Sequence, residues 1–437
     1  MPSSSPQVPR VSAEAEPTHP PLPPPAQAQA QAPARSLPLH GLRVLDLTNV
    51  LAGPFACHQL AHLGAEVVKV EALAGGDLAR QLGADPALNE RHMGVSFLAQ
   101  NAGKRSIALD LKKPGGRAVL QRLVRSADAL VENFRPGVMQ RLGLGYEALL
   151  AHNPRLVYCA ISGFGQDGPL RDLPAYDQIV QGMAGVMSIT GDAASAPLRV
   201  GFPVADTIGG LTAAMAVCAA LAERDRTTGR FIDVSMLGAV MATMGWAVSN
   251  LLIAGREPQP LGNDNVTASP SGTFRTADGL LNIAANKQSQ FETLARLIGR
   301  PDLVDDPRFA RRQGRLEHRA ALTVEIEAAL AAHPAAHWWP LLSAAGVPAG
   351  PVHSVGQALE HPQVAGRGMV ATFADAPGVG RDIRVLRTGL QLDGAAPEVD
   401  RPPPMLGQHT REILAGLGYS PAEIAALCVE GATGGLS

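Results

Sequence analysis

Short apolar runs alternate with helix-forming segments through the first half of this chain, and that alternation restricts the folds open to it. Buried strands are predicted at residues 42–47, 66–71, 106–110, 129–132, 155–160 and 231–235. Residues 53–62 and 115–127 lie between successive strands and predict helices. Strands separated by helices form a largely parallel sheet that is covered on both faces. The sequence therefore predicts an α/β fold.

Composition divides the chain into segments. Proline-rich and Ala-Gln stretches near the beginning cannot bury a core and predict disorder. Further along, two strand-like runs flank Asp278-Gly279, which is a strong hairpin signal. We predict a disordered tail at 1–37, a Rossmann-like large domain at 38–236, a helical linker at 237–264, a smaller α+β domain at 265–350, and a return segment at 351–437 that completes the large domain.

Charge and cysteine content restrict the function classes. The net charge of −2 gives no general attraction to nucleic acid or to a membrane. The four cysteines are far apart and form no CxxC pair, which argues against zinc and suits a reducing compartment. The apolar run at 209–221 is too short to span a bilayer. We therefore predict a cytoplasmic protein without nucleic-acid or membrane partners.

Metal and dinucleotide sites are not predicted. His58 and His62 stand four residues apart but lack a third ligand, so we interpret them as ordinary helix surface. The first strand–helix–strand unit does not carry the GxGxxG pattern of a dinucleotide site.

Asp206 stands where an extended segment meets a helix of small residues, which makes it a candidate N-cap. Gly209 and Gly210 cost helix stability, and such glycines often mark a close approach of another group to the backbone. A second acidic residue, Asp177, lies upstream. Strand ends at 49–53, 109–112, 133–135 and 162–168 are expected to converge on one crevice, because ligands of parallel sheets bind beyond the carboxyl ends of strands.

Seven motifs, in this order, carry a family resemblance. They are GLRVLD at 41–46, LAGP at 51–54, GAEVVKVE at 64–71, KRSIALDLK at 104–112, VENFRPG at 131–137, AYD at 175–177 and GQHT at 407–410. Together they resemble the class III CoA-transferases, the family of formyl-CoA transferase, carnitine CoA-transferase and the succinate–hydroxymethylglutarate type, to which α-methylacyl-CoA racemase is related. The resemblance extends from residue 38 to the end of the chain.

The resemblance implies an enzyme that uses CoA as a co-substrate and needs no metal. Asp206 matches the nucleophilic aspartate, and Asp177 matches an acidic position near the reacting group. The implied CoA-binding residues are Leu51, Ala52, Leu109, Asp110, Lys112, Asn133, Phe134, Arg135, Arg141 and Tyr176. Members of this family form interlocked dimers, so a homodimer is expected.

Three departures from formyl-CoA transferase are visible. Leu51 replaces a glutamine, Ala72 replaces an arginine that contacts CoA, and residues 263–272 lack the glycine-run loop. We therefore do not expect formate or oxalate as substrates. Arg199, just before the nucleophile, is a candidate partner for the second carboxylate of a dicarboxylic acid, with succinyl-CoA as a donor; the alternative is a solvated surface charge.

The expected chemistry begins with an attack of the Asp206 carboxylate on the thioester, which gives an aspartyl anhydride and then an aspartyl-CoA thioester. An N-cap position would keep Asp206 ionised at pH 7. A racemase remains an alternative, but it would place Tyr176 where that branch has a histidine, and tyrosine titrates near 10. A binding protein without turnover is the second alternative.

Overall fold

The computed structural model describes residues 36–223 and 227–434. The predicted disordered tail therefore lies almost wholly outside the described residues. The strands are β1 Arg43–Asp46, β2 Glu66–Glu71, β3 Lys104–Leu109, β4 Ala129–Glu132, β5 Val157–Ser162, β6 Arg230–Ser235, β7 Ser271–Arg275, β8 Leu280–Ala284, β9 Ala349–Pro351, β10 Val370–Phe373, β11 Ile383–Leu386 and β12 Thr433–Gly434.

Helices occupy most of the remaining chain. They are α1 Ala52–His62, α2 Pro86–Glu90, α3 Val95–Leu98, α4 Pro114–Val124, α5 Val138–Arg141, α6 Tyr146–Leu150, α7 Asp177–Met183, α8 Val204–Leu221, α9 Met236–Thr243, α10 Gly245–Ala254, α11 Gln288–Leu297, α12 Asp302–Asp305, α13 Arg312–Glu317, α14 Arg319–Leu330, α15 Ala335–Ala344, α16 Val355–Glu360, α17 Pro362–Gly366, α18 Thr410–Gly416 and α19 Pro421–Glu430. Two short 3₁₀ helices span Leu78–Gln81 and Val186–Ile189.

A seven-stranded sheet organises the larger part of the fold, in the order β12-β3-β2-β1-β4-β5-β6. Six strands are parallel, and β12 pairs antiparallel with β3 at one edge. The predicted α/β fold with a mainly parallel sheet is confirmed. All six predicted strands are present, with ends that differ by up to two residues.

Both faces of the sheet are buried from β1 to β5, which explains the continuous apolar character of these strands, whereas the edge strand β6 is largely exposed. Successive side chains of a strand point to opposite faces. In β1, Val44 packs in the core shared with α1 and α8, whereas Leu45 packs in the core shared with α4. In β4, Ala129 and Leu130 divide between the same two cores.

The strand order reverses its direction between β1 and β4. From β1 the chain builds outward through β2 to β3, and then returns to the other side of β1 to place β4, β5 and β6. The loops after β1 and β4 therefore leave the sheet in opposite directions and open a crevice at this switch point.

A second, three-stranded sheet has the order β7-β8-β9. The predicted hairpin is confirmed, because β7 and β8 pair antiparallel on either side of Asp278-Gly279. A separate core joins this sheet to α11, α14 and α15. The described residues from Leu37 onward cluster as one compact unit, so the domain boundaries stay predictions.

Two helical segments differ from expectation. The helical linker predicted at 237–264 is two helices, α9 and α10, with a bend of 75° between them. The helix α8 has 18 residues and is long and apolar enough to cross a membrane, whereas we expected no run of that length. Its residues Gly209, Gly210 and Ala213 are buried against the rest of the fold, whereas Leu211 and Met215 are exposed.

Candidate active site

A cavity of about 360 Å³ lies at the switch point between β1 and β4. Residues 49–52 after β1, residues 133–136 after β4 and residues 161–163 at the end of β5 line it. Asp206 of α8 lines the same cavity, and within the described residues it is the one carboxyl group in the lining. The arrangement places a carboxylate where open α/β sheets bind their ligands.

Asp206 is not the helix cap that the sequence predicted. The helix begins at Val204, Pro203 occupies the N-cap position, and Asp206 is the third helical residue. Asp177 performs the capping: its Oδ1 accepts hydrogen bonds from the N–H groups of Ala205 at 2.8 Å and of Asp206 at 3.3 Å. Because Asp177 takes these donors, the carboxyl group of Asp206 is left to the cavity.

The protonation of Asp206 also differs from expectation. Burial, and after it the negative charge of Asp177, raise the pKa of Asp206 to about 7. The expectation that the helix start keeps Asp206 ionised at pH 7 is wrong, because a carboxyl group with that pKa is about half protonated there.

Two glycines of α8 allow the helices around the cavity to approach closely. A Cβ atom on Gly210 would collide with the carbonyl oxygen of Ala52 in α1. A Cβ atom on Gly209 would lie 2.9 Å from Cγ of Met236. The predicted close approach at these glycines is confirmed, and it brings the start of α1 next to the start of α8.

The loop after β1 is held in an unusual conformation by polar side chains. Val50 has a φ of +68°, a region that β-branched residues rarely adopt. Its N–H group donates to Oδ1 of Asp77 at 2.8 Å. Asn49 and Asn133 exchange two hydrogen bonds of 2.8 Å, which tie the loops after β1 and β4 together across the crevice.

A buried ionic cluster lies beneath this loop, and sequence reasoning missed it. Nζ of Lys104 lies 2.8 Å from Asp46, and Nζ of Lys69 lies 3.0 Å from Asp77. Lys69 also donates to the carbonyl oxygen of Thr48 at 2.8 Å. All four charged side chains are fully buried. Lysines inside strand-like apolar runs were the available signal, since buried lysines are almost always paired.

The loop after β4 rests on a buried glutamate. Oε2 of Glu132 accepts a hydrogen bond from the N–H group of Phe134 at 2.8 Å, and Oε1 accepts one from the Tyr158 hydroxyl at 3.3 Å. Burial raises the pKa of Glu132 to about 7. Glu132 therefore positions the Asn133–Arg135 part of the cavity wall without lining the cavity itself.

The structure brings together seven of the predicted site residues and leaves five outside the cavity. Those that line it are Leu51, Ala52, Asn133, Phe134, Arg135, Tyr176 and Asp206. Leu109, Asp110, Lys112 and Arg141 do not line it, and Asp177 lies behind Asp206. The loop that follows β3 leaves the same edge of the sheet, but β3 is two strands away from β1 and therefore further from the switch point.

The cavity lining contains Arg171 in addition to the predicted Arg135. The sequence suggested a different arginine, Arg199, as the partner of a second substrate carboxylate. Arg171 belongs to the lining, and its side chain is 45% exposed. Its ion pair with the adjacent Asp172 is long, at 3.5 Å, and solvent-exposed, so it holds the guanidinium only weakly. Arg199 is exposed and does not line the cavity.

A larger cavity, of about 770 Å³, lies elsewhere, between α1 and β11, and contains none of the predicted site residues. His58 lines it, and both His58 and His62 are buried, so the interpretation of this pair as helix surface is wrong. Burial lowers the pKa of both rings. Across residues 36–223 and 227–434, no group of three His, Cys, Asp or Glu side chains is arranged to hold a metal ion.

Comparison with protein families identifies the family of this chain. The model of CoA-transferase family III matches residues 39–410. This chain belongs to that family. The family assignment makes it a class III CoA-transferase, whose co-substrates are CoA thioesters.

Individual relatives cover nearly the whole family region. A succinate–glutarate CoA-transferase of Agrobacterium fabrum is 39% identical over 88% of this chain and 97% of its own length. An acetyl-CoA:oxalate CoA-transferase of Acetobacter aceti is 42% identical over 76% of this chain and 85% of its own length. The crystal structure of a CAIB/BAIF family protein from Brucella suis superposes with a TM-score of 0.77 at 35% identity, and covers 88% of this chain and 100% of that one.

Proposed function

We propose that this CoA-transferase moves CoA from an acyl-CoA, such as succinyl-CoA, to a dicarboxylic acid, and that Asp206 carries first the acyl group and then CoA. One observation carries the proposal: Asp206 is the carboxyl group that the cavity lining presents, among the loops for which the resemblance implies CoA binding. A partly buried carboxylate without a cationic partner is more reactive than one held in an ion pair.

The proposed reaction uses four displacements at acyl carbons. The Asp206 carboxylate attacks the thioester carbon and the C–S bond breaks. CoA departs as the thiolate, and the acyl group stays joined to Asp206 as a mixed anhydride. The thiolate then attacks the aspartyl carbonyl carbon and releases the donor acid, which leaves CoA on Asp206 as a thioester. The carboxylate of the acceptor acid attacks that thioester and expels the thiolate. Finally the thiolate attacks the acceptor acyl carbon, so acyl-CoA forms and the Asp206 carboxylate is restored.

Each displacement develops negative charge on a carbonyl oxygen, which backbone N–H groups stabilise best when they are already oriented. The first turn of α1, at Ala52 and Gly53, provides such groups, because the first N–H groups of a helix have no partner within it. The contact of Gly210 with Ala52 brings this turn close to the start of α8. We propose that these two N–H groups bind the oxyanion.

Arg171 supports a dicarboxylic substrate. It is a weakly held cation in the same lining as Asp206, and a guanidinium can bind a carboxylate through two hydrogen bonds. The names of the two relatives mention succinate, glutarate and oxalate, which are all dicarboxylic acids. The second name also weakens the argument from Leu51 against oxalate. We therefore assign to Arg171 the role that the sequence suggested for Arg199.

Neither alternative function is favoured. A racemase needs an acid and a base on opposite faces of the substrate α-carbon, and Tyr176, at the position of the expected base, is 67% exposed. A binding protein without turnover would not need a carboxyl group with a raised pKa at the centre of its cavity.

Trapping of the covalent intermediate tests the proposal directly. The protein is incubated with succinyl-CoA, treated with hydroxylamine or borohydride, and digested for peptide mass mapping. Modification at Asp206, lost in Asp206→Asn, is expected. A wild-type protein that exchanges CoA between acids but is never modified at Asp206 would contradict the mechanism.

We also propose a cytoplasmic homodimer. Trp246, Leu252 and Ile253 of α10 are 81%, 78% and 86% exposed, which is unusual for such large apolar side chains and supports burial against a second copy. The spacing of the cysteines supports a reducing compartment. Light scattering after size-exclusion chromatography is expected to give twice the chain mass, and a monomer at micromolar concentration would contradict the dimer. Cell fractionation tests the location.

A further inference from the structure

We propose that Gln181 is a positioning residue for the nucleophile: it orients the Asp177 carboxylate that caps α8, and it anchors the segment that leads into Asp206. The inference rests on the proposed function of Asp206. It adds a residue that neither touches the cavity nor carries a charge.

Four hydrogen bonds form one connected network across this region. The N–H group of Val200 donates to Oε1 of Gln181 at 3.0 Å. Nε2 of Gln181 donates to Oδ2 of Asp177 at 2.7 Å. Oδ1 of Asp177 then accepts from the N–H group of Asp206 at 3.3 Å and from that of Ala205 at 2.8 Å. The backbone of the nucleophile is therefore joined to Val200 through two side chains.

The orientation of the Gln181 amide follows from its partners. A carboxylate can only accept and a backbone N–H group can only donate, so Nε2 must face Asp177 and Oε1 must face Val200. The side chain is fully buried. Loss of either contact would leave a buried polar group without a partner, which costs more than the contact itself contributes.

The position of the Asp177 charge matters to Asp206 because the two carboxyl groups interact. The other charged or titratable groups in the cavity lining are Arg135, Arg171 and Tyr176. Asp177 already uses both carboxylate oxygens as acceptors, one toward α8 and one toward Gln181. Without the Nε2 donor, Oδ2 of Asp177 loses that partner and the carboxylate is free to rotate, which alters the field at Asp206.

The segment before the nucleophile is tied at both ends. At its beginning, the N–H group of Gly262 donates to the carbonyl oxygen of Gly191 at 2.6 Å. At its end, Gln181 holds Val200. Gln181 therefore connects this segment to the start of α8 through Asp177.

Gln181→Glu tests the inference, with Gln178→Glu as the matched control. Both glutamines lie on α7, but Gln178 is exposed. In Gln181→Glu the new carboxylate meets Asp177 at hydrogen-bond distance, so the pair shares a proton at low pH and gains a negative charge as pH rises. The rising limb of the kcat–pH profile is expected to move up by about one pH unit in Gln181→Glu and to stay in place in Gln178→Glu.

Gln181→Met removes both hydrogen bonds at similar side-chain length. Its kcat is expected to fall about tenfold to a hundredfold with a smaller change in KM, because the loss affects the nucleophile more than substrate binding. An unmoved pH limb in Gln181→Glu, or a loss of activity that only follows the loss of folded protein in thermal unfolding, would overturn the inference.

One readout does not depend on turnover. The pH profile of carbodiimide modification at Asp206, located by peptide mass mapping, reports the titration of that carboxyl group. This modification profile is expected to shift to higher pH in Gln181→Glu whether or not the protein exchanges CoA. A wild-type protein that exchanges no CoA would contradict the proposed function but not the role of Gln181. An identical profile in wild type and Gln181→Glu would end the role of Gln181.

Discussion

Two aspartates near the same crevice, the fully buried Asp46 and the partly buried Asp206, show opposite chemistry. Burial alone would raise the pKa of Asp46, but Lys104 and Lys69 outweigh it and lower the pKa to about 2. For Asp206, burial and the neighbouring Asp177 act in the same direction and raise the pKa to about 7. The partner, more than the burial, decides which carboxylate supports the loop and which one is available to react.

The surroundings of Asp46 and those of Asp206 serve different purposes. Lys104 and Lys69 keep Asp46 ionised down to about pH 2, and the cluster around it holds the loop at Thr48 and Val50 in place. The carboxyl group of Asp206 titrates near neutrality, and once ionised it is a more basic nucleophile than an ordinary aspartate. An aspartate thus supports a loop as an ionised group in one place, and in the other it is a carboxyl group that changes its protonation near neutral pH.

The largest expected effect is on turnover. Asp206→Asn removes the nucleophile with little change in shape, so kcat for CoA exchange is expected to fall by at least about 10³. Steady-state assay of exchange between succinyl-CoA and glutarate measures it. Thermal unfolding of the variant should show a folded protein, and near-normal turnover would remove Asp206 from the mechanism.

Lys104→Met tests the buried ionic cluster around Asp46, because it removes one of the two lysines that pair with this aspartate. Asp46 then loses a close cation while it remains buried, and the free energy of unfolding is expected to drop by about 3–5 kcal/mol. Lys113→Met, at an exposed lysine on a neighbouring loop, is the control and should stay within about 0.5 kcal/mol of wild type. Equal stability of the two variants would show that the buried cluster does not support the fold.

Like Asp206, Glu132 is a carboxyl group without a cationic partner among the described residues, and it is buried within the fold. Its pKa is raised in the folded state from 4.5 to about 7, so its contribution to stability is complete below pH 4.5 and is lost as pH rises through 7. Glu132→Gln does not titrate. Its stability relative to wild type is therefore expected to increase by about 1–3 kcal/mol between pH 4.5 and pH 8.

Urea unfolding at both pH values measures this difference. Glu147→Gln, an exposed change of the same kind, is expected to show none of it. A pH-independent difference for Glu132→Gln would mean that Glu132 is ionised throughout.

The smallest expected effect concerns the acid substrate. Arg171→Ala is expected to raise KM for glutarate about tenfold, the loss of one exposed charge-assisted contact, and to leave KM for a monocarboxylic acid of similar length unchanged. Arg199→Ala is the matched control and should change neither value. The reverse result would restore Arg199 to the role that the sequence suggested.

Much of the fold was accessible from the sequence because its strands are short apolar runs bounded by turn residues. Runs such as 66–71 and 129–132 were located to the residue, since both faces of a parallel sheet demand apolar side chains. The break between α9 and α10 was missed, because both helices are mostly apolar and the glycine at the break, Gly245, is one of several small residues in this stretch.

Part of the predicted site lies together around the cavity, whereas the binding and catalytic roles of the residues stay predictions. The residues next to the switch point were found through loops that follow β1 and β4, whereas Leu109 and Lys112 follow a strand whose distance from the crevice depends on strand order. Asp206 was placed correctly beside the helix start but in the wrong capping role, because Asp177 reaches it only through tertiary contact. Tertiary contacts also decide that Arg171 lines the cavity and that His58 is buried.

The antiparallel strand β12 has a consequence for how the chain can mature. Thr433 and Gly434 pair with Leu109 and Ala108, so the outer edge of β3 in the main sheet is covered by residues that are synthesised long after β3 itself. Until they emerge, β3 presents unpaired backbone groups that can recruit another strand. Nascent or C-terminally shortened chains should therefore depend on chaperones and tend to aggregate even when every catalytic group is already in place.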